Sequence, residues 1–337
     1  LKKKTMTTPT TNKTDWQAAT AAVDAAESIL VVTHFHPDGD AIGSLLGLGN
    51  ALIERGRKVD LVVDGGVPDF LAFVPGQELV RKELHSGAWD LMISVDCSDE
   101  ERSGKSGIYG RKNSKQVVNL DHHPTNTFFG DIYLVAPEAA SATEVVYDWL
   151  QEMEQPITQP VAVPLLTGLV TDTLGFRTSN VKSRTLKIAT DLMDAGASLT
   201  EITARTLGRK PYNMLSLWRE VFSSVTLDGQ VISGVIRQAD LKQAGVIDMT
   251  DGGLVGLLIT VDEAMISVIF KELETGQVEL SFRSKPGYDV ASVALGLGGG
   301  GHKQASGATI PGPLDAAIAR VMPLLKQAAE EGELIIR

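Results

Sequence analysis

Apolar residues along this chain follow two rhythms. Short unbroken runs at Ser28 to Val32, Val59 to Val63, Leu91 to Val95 and Gln116 to Leu120 have the length and composition of strands buried on both faces. Between them the spacing turns helical. Ala41 to Glu54 carries Ile42, Leu45, Leu46, Leu48 and Leu52 before Arg55-Gly56, a helix with a glycine stop. Ser141-Ala-Thr-Glu144 has capping-box spacing and opens a helix through Leu150. Pro160 to Val170 predicts a further helix that delivers Thr171-Asp172-Thr173 near its end. Strand and helix in alternation predict an α/β domain with a mostly parallel sheet and helices on both faces.

The rhythm changes after about residue 185. Ser198-Leu-Thr-Glu201 caps another helix, and Pro211 to Phe222 predicts a connecting helix with Trp218 on its apolar side. From Val225 on, shorter β-like runs dominate. Val278, Leu280 and Phe282 alternate with Glu279, Ser281 and Arg283 as in a half-buried strand, after a hairpin turn at Glu274-Thr-Gly276. Helices at about 289–296 and 314–331 complete a second, smaller α/β domain. The expected organisation is a disordered leader over 1–14, a first domain over 15–195, a helical linker over 196–222 and a second domain over 223–337. No internal repeat is visible.

The 337 residues suffice for two cores, and 43% hydrophobic with 22% charged residues is ordinary for a globular protein. A net charge of −11 argues against a surface that grips long duplex nucleic acid, although bound metal can supply local positive charge for a small phosphate substrate. The single cysteine, Cys97, excludes an internal disulfide, fits a reducing compartment, and reads as a buried small residue rather than a reactive thiol. No apolar stretch approaches the roughly 18 residues of a bilayer span. The opening Leu-Lys-Lys-Lys-Thr-Met segment lacks an apolar core of the secretory type and reads as a leader upstream of a start at Met6. The expected location is the cytoplasm, with no membrane partner.

Candidate chemistry gathers at the strand ends. His34, Asp38 and Asp40 leave the first strand almost together, because Pro37 and Gly39 force an irregular turn. Asp96 ends the third apolar run, Asp121-His122-His123 follows the fourth, and Asp172 closes a helix. Parallel sheets carry their chemistry at the carboxyl ends of strands, so these residues predict one shared site. Mixed carboxylate and imidazole donors suit a hydrolytic divalent metal such as Mn²⁺ or Zn²⁺. Near the C-terminus, Gly296-x-Gly298-x-x-Gly301 formally satisfies a dinucleotide fingerprint, but the segment before it is helical and His302 excludes a Walker loop. The run predicts instead a loop in which the N–H groups of Gly299, Gly300 and Gly301 cradle a phosphate beside His302 and Lys303. Arg283, at the end of its strand, can fork two donors onto a phosphate, and Arg177 is a second candidate.

The segments His34-x-x-Pro-Asp-Gly-Asp-Ala, Val-Asp96-Cys-Ser-Asp, Asp121-His-His and Thr-Gly-Leu-Val-Thr-Asp172-Thr resemble, in order, the four motifs of the DHH phosphoesterase family. Gly-Gly-Gly-Gly-His302-x-x-Ala-Ser-Gly resembles the signature of the DHH-associated domain, so the resemblance spans about residues 25–335. His36 stands where relatives often have Asn. The resemblance implies two domains facing each other across a cleft. It implies one metal on His34, Asp38 and Asp96 and a second on Asp40, Asp96, His122 and Asp172. Paired metals of this kind activate water and stabilise both oxygens of an in-line displacement. Asp121 would orient a histidine, and His123 would donate to the scissile phosphate or leaving oxygen. Arg283 and His302 would hold the far end of the substrate. The expected metal is Mn²⁺, with Mg²⁺, Co²⁺ and Zn²⁺ as alternatives.

The compact form, without sensory or oligonucleotide-binding extensions, resembles the branch that degrades very short RNA and dephosphorylates 3′-phosphoadenosine 5′-phosphate. The expected activity is therefore hydrolysis of oligoribonucleotides of about two to five nucleotides, an exonuclease reaction that engages few phosphates. A phosphodiesterase for cyclic di-AMP or pApA is the alternative within the family, and an inactive nucleotide-binding regulator the alternative outside it. Relatives often pair, so a homodimer is a further expectation.

Overall fold

The computed structural model describes residues 13–246 and 251–334. The chain divides after Arg209 into two compact units. In the first, strands β1 (Lys13–Thr14), β2 (Ile29–Val32), β3 (Val59–Val62), β4 (Val80–Arg81), β5 (Trp89–Val95), β6 (Ser114–Asp121) and β7 (Ile132–Val135) form one sheet in the order β1-β7-β6-β5-β2-β3-β4. Six of them run parallel and β1 is antiparallel to β7. Of the leader expected over 1–14, residues 1–12 lie outside the described residues. Lys13 and Thr14 are strand, because their backbone pairs with Val135 and Leu134.

Helices α1 (Trp16–Ala25), α2 (Gly39–Glu54), α3 (Gly104–Lys112), α4 (Ala142–Glu152), α5 (Gln159–Asp172), α6 (Ser183–Asp194) and α7 (Leu199–Thr206) complete this unit. Ile29, Val31, Leu91, Ile93, Val118 and Leu120 bury one sheet face in a core shared with α1, α2, α4 and α5. The alternate residues Leu30, Val32, Met92 and Val117 face Leu84, Trp89 and Tyr109 of α3. Burial on both faces is why these strands read as unbroken apolar runs. The capping signals hold: Ser141 Oγ accepts the Glu144 N–H (3.1 Å) and Ser198 Oγ the Glu201 N–H (3.2 Å).

Helices α2 and α5 approach so closely that at Gly43 backbone meets backbone. A Cβ on Gly43 would lie 2.6 Å from the Pro164 carbonyl oxygen and 2.9 Å from the Gly168 nitrogen, and Gly39 and Gly47, a turn to either side, are closed by Thr171 and Leu165. Glycines at i, i+4 and i+8 share one face of α2, so this contact is written into its sequence.

The second unit contains α8 (Tyr212–Phe222), β8 (Thr226–Asp228), β9 (Val231–Ile236), α9 (Gln238–Ala244), α10 (Leu254–Leu258), β10 (Ile266–Glu272), β11 (Gln277–Ser284), α11 (Ala291–Gly296), β12 (Gly300–His302), β13 (Ala305–Pro311) and α12 (Leu314–Glu331). Its mixed sheet, ordered β12-β13-β11-β10-β9-β8, packs Phe270, Phe282 and Ile310 against α11 and α12. The opposite face packs Ile232, Ile236 and Ile269 against α8, α9 and α10. The stretch expected as a linker, 196–222, is shared between the units: Ile202 of α7 is buried in the first core and Leu217 and Val221 of α8 in the second. Among the described residues no helix is long and apolar enough to cross a membrane.

Candidate metal centre

From β2 the chain steps outward to β3 and β4, then returns to pair β5 on the other flank of β2. Connections therefore diverge between β2 and β5, and such a switch point leaves a crevice at the carboxyl ends of the strands. His34 lies two residues beyond β2, Asp96 one residue beyond β5, and Asp121 is the last residue of β6. Asp96 has φ of 55°, a left-handed conformation uncommon outside glycine, while its N–H donates to Leu120 O at 2.9 Å. The twist turns its carboxylate toward both histidine-bearing loops, with His34 Nε2 at 3.5 Å from Oδ2 and His122 Nε2 at 3.8 Å from Oδ1.

Each neighbour is held by its own device. The His34 Nδ1 bonds the Phe35 carbonyl (2.9 Å), which makes Nδ1 the donor and leaves Nε2 to face Asp96. Asp38 is the N-cap of α2: its Oδ1 accepts the N–H groups of Asp40 and Ala41, both at 3.0 Å. Asp40, in the first turn of α2, accepts from the Ala142 N–H on Oδ2 (2.6 Å) and the Thr143 N–H on Oδ1 (3.0 Å), at the start of α4. A capped helix N-terminus is a natural seat for a carboxylate. Close packing of α2 on α5 brings in Asp172, so that His122 Nε2 lies 3.6 Å from Asp40 Oδ2 and 3.8 Å from Asp172 Oδ2. Asp121 Oδ1 accepts from His123 Nδ1 (2.8 Å) and Oδ2 from Asn126 Nδ2 (2.6 Å).

The electrostatics of this cluster are unbalanced. Burial, reinforced by the carboxylates of Asp40, Asp38, Asp121 and Asp172, pushes Asp96 well above the usual carboxylate range. Burial also raises Asp40, against the opposing pull of His122. Asp121 behaves differently: burial would raise it, but His123 and its hydrogen bond hold it down at about 2. Burial lowers His34, which favours the neutral imidazole that ligates metals. Asp96 Oδ1 is buried and, among the described residues, accepts no hydrogen bond. A divalent cation supplies the charge and the coordination this cluster lacks. Potential ligand atoms of His34, Asp38 and Asp96 lie within 4.8 Å of one another, as do those of Asp40, His122 and Asp172, and those of Asp96, Asp121 and His123. The residues thus fit a divalent metal, with nitrogen and oxygen donors mixed.

In the second unit, the register pairs Arg283 with Ala305 and Ala305 with His302, so the three form one row across β11, β13 and β12. Arg283 Nη1 also donates to Phe282 O at 2.8 Å. The glycine run is not the open loop expected. Gly300–His302 is a short edge strand, and the run lies so close to β13 that a Cβ on Gly301, whose φ is 133°, would stand 2.5 Å from Ala305 O. Close backbone approach accounts for Gly301 and for Gly299, whose added Cβ would meet Gly307 O, whereas Gly300 has open space around it. The Gly299 N–H, expected to cradle a phosphate, instead donates to Ala294 O at 2.8 Å, closing the turn after α11. Arg177 is exposed, its Nε donating to Leu174 O (2.7 Å) in the turn after α5.

Three contributors escaped the sequence reading. Asn126 bonds Asp121 and also Cys97 O (3.2 Å), tying two strand ends together; its position five residues after Asp121 is a faint signal. The Ala142 and Thr143 N–H groups act on Asp40, and the capping box before them was the legible hint. Arg102 bears electrostatically on both His34 and Asp38, after burial and their mutual attraction.

A carboxylate–imidazole cluster at the switch point of a parallel sheet defines a metal-binding α/β protein. Residues 28–169 match the model of the DHH family, N-terminal domain, and residues 239–331 that of the DHHA1 domain. The chain is 35% identical to the bifunctional oligoribonuclease and PAP phosphatase NrnA of Thermus thermophilus, over 89% of each chain. It is 29% identical to the protein of that name from Bacillus subtilis, covering 84% of this chain and 90% of the relative. An exopolyphosphatase-related protein from Bacteroides fragilis shares the fold, with a TM-score of 0.82 at 23% identity over 94% of this chain and 95% of that one. The chain belongs to the DHH family.

Proposed function

We propose that this protein is a metal-dependent phosphoesterase that hydrolyses very short oligoribonucleotides to mononucleotides and 3′-phosphoadenosine 5′-phosphate to AMP. The observation that carries the reading is the pair of ligand groups meeting at Asp96, a carboxylate held between His34 and His122. The names of the relatives supply the substrate class. Two divalent ions, Mn²⁺ in our reading, would be held by His34, Asp38 and Asp96 and by Asp40, Asp96, His122 and Asp172, and would supply Lewis-acid charge to the phosphate and acidify the attacking water.

The side chains around them have separable tasks. The Asp121 carboxylate can only accept, so Nδ1 of His123 carries a proton and Nε2 is the ring atom that would exchange one with the leaving oxygen. Backbone N–H groups hold the Asp38 and Asp40 carboxylates in a fixed orientation, in which both would present their remaining charge to the metal. Arg283 and His302 offer a cationic fork and an imidazole for a second phosphate, with Ala305 leaving room between them. Gly300, Gly301 and Arg177 are lesser candidates for the same task; the Gly299 N–H is already given to Ala294 O. A homodimer in the cytoplasm is part of this reading, resting on the resemblance.

The test is a panel with Mn²⁺: an RNA dinucleotide, a 24-residue RNA, 3′-phosphoadenosine 5′-phosphate, pApA and cyclic di-AMP, each against an Asp121→Ala/His122→Ala double variant. Fast cleavage of the dinucleotide and the bisphosphate with weak action on the long RNA is the expected result. Preferred opening of cyclic di-AMP, or silence on all five, overturns it.

A further inference from the structure

Phe35 follows His34 directly and, among the described residues, belongs to no hydrophobic core cluster; its side chain is left 44% exposed. Its backbone, by contrast, is pinned at both ends. The N–H donates to Arg102 O (3.0 Å), and the carbonyl accepts from His34 Nδ1 (2.9 Å). The next residue, His36, is held at φ of 54°, and its ring meets the Phe35 ring edge-on, with centroids 5.3 Å apart and planes at 69°. Strained backbone persists only where the surroundings impose it, and it gathers at functional sites. None of these backbone bonds requires a phenyl group, since any residue would make them. The fold therefore fixes the backbone of an aromatic residue directly after a metal-type ligand and leaves its ring unburied, in contact with the His36 ring.

We propose that Phe35 is a specificity-determining residue whose ring stacks on a nucleobase of the substrate, with His36 as its edge-on support. This role rests on the nucleotide-cutting function proposed above. Stacking suits a substrate of a few nucleotides, because every base offers a π-face whatever the sequence. A phenyl ring on a fixed backbone has only two torsions to order, so the contact costs little side-chain freedom.

The experiment compares wild type, Phe35→Ala and Phe35→Trp, each loaded with Mn²⁺. Kinetics are taken on an RNA dinucleotide and on its abasic analogue; equilibrium binding is measured for AMP and for ribose 5-phosphate. Stacking predicts that the alanine variant raises KM for the dinucleotide and Kd for AMP about tenfold. Its kcat, its Mn²⁺ binding, its KM for the abasic analogue and its Kd for ribose 5-phosphate should stay near wild type. The tryptophan variant should bind AMP at least as well as wild type. Equal losses on base-bearing and base-free ligands, no loss on either, or loss of Mn²⁺ binding would each overturn the stacking role alone. A wild type that neither cuts the dinucleotide nor binds AMP would overturn the proposed function, and this role with it.

Discussion

Asp121 Oδ1 and His123 Nδ1 share a 2.8 Å hydrogen bond in which the carboxylate is wholly buried and the imidazole is partly open. The pairing opposes the penalty of burial and holds Asp121 at about 2. Because the folded value lies below the unfolded value of about 3.9, its stabilising contribution is present above that pH and is lost as pH falls through about 2. In Asp121→Asn the carboxylate is gone and His123 loses its charged anchor. Steady-state kinetics should show kcat reduced by about 10²- to 10⁴-fold, with Mn²⁺ binding retained. Acid unfolding should show wild type losing stability relative to the variant between about pH 4 and 2.

Asp96 has the opposite balance, its carboxylate raised by burial and by four other carboxylates. A folded value above the unfolded one contributes stability below the unfolded pKa and loses it as pH rises through the folded one. At neutral pH the metal-free protein therefore pays for this charge. Asn adopts the left-handed backbone readily, so Asp96→Asn should keep the fold. Its metal-free form should melt above metal-free wild type at pH 7. Excess Mn²⁺, about 100-fold over Kd, should stabilise wild type by about 2.7 kcal/mol and the variant hardly at all, with activity lost. Protons compete for the same carboxylate, so Mn²⁺ affinity of wild type should rise as pH rises through the elevated folded value of Asp96. A variant that melts lower than wild type without metal would contradict the charge imbalance.

Much of the first unit was legible because burial on both faces leaves nothing but apolar residues in a strand. The runs read at Ser28 to Val32 and Leu91 to Val95 fall on β2 and on β5, and His34 and Asp96 just beyond them were the candidates for chemistry. The half-buried strand β11 was equally plain from its alternation. Helices α1, α3, α6, α9 and α10 were not read from the sequence; α9 and α10, only seven and five residues long, are too short for a helical period to register. Asn126 and the α4 N–H groups were only faintly legible in their roles, for another reason. They act on Asp121 and Asp40 through contacts fixed by tertiary packing, and the Asp40 contacts span more than 100 residues of chain.

Cys97 follows Asp96 but is fully buried, and burial pushes its thiol far above the range in which thiolates form at neutral pH. Native protein treated with a thiol-specific disulfide reagent at pH 8 should therefore show almost no modification over an hour, and one thiol per chain once denatured. Fast labelling of the native protein would show that the strand end opens.

The contact between α2 and α5 should be as important to the metal centre as any ligand, because Asp40 and Asp172 reach His122 from these two helices. Alanine at Gly43 would meet backbone on the facing helix, the Pro164 oxygen at 2.6 Å and the Gly168 nitrogen at 2.9 Å, and backbone cannot rotate aside. The helices must separate, at about 1–3 kcal/mol for an overpacked core. Urea unfolding should report that loss, and titration with Mn²⁺ should report weaker binding, since the carboxylates move apart with their helices. Gly256→Ala is the control: it lies in α10 with nothing within 4 Å of an added Cβ, and should be neutral or stabilising by about 0.4–1 kcal/mol with Mn²⁺ binding unchanged. If Gly43→Ala loses stability but binds Mn²⁺ as wild type does, the helix contact supports the fold without setting the ligand geometry.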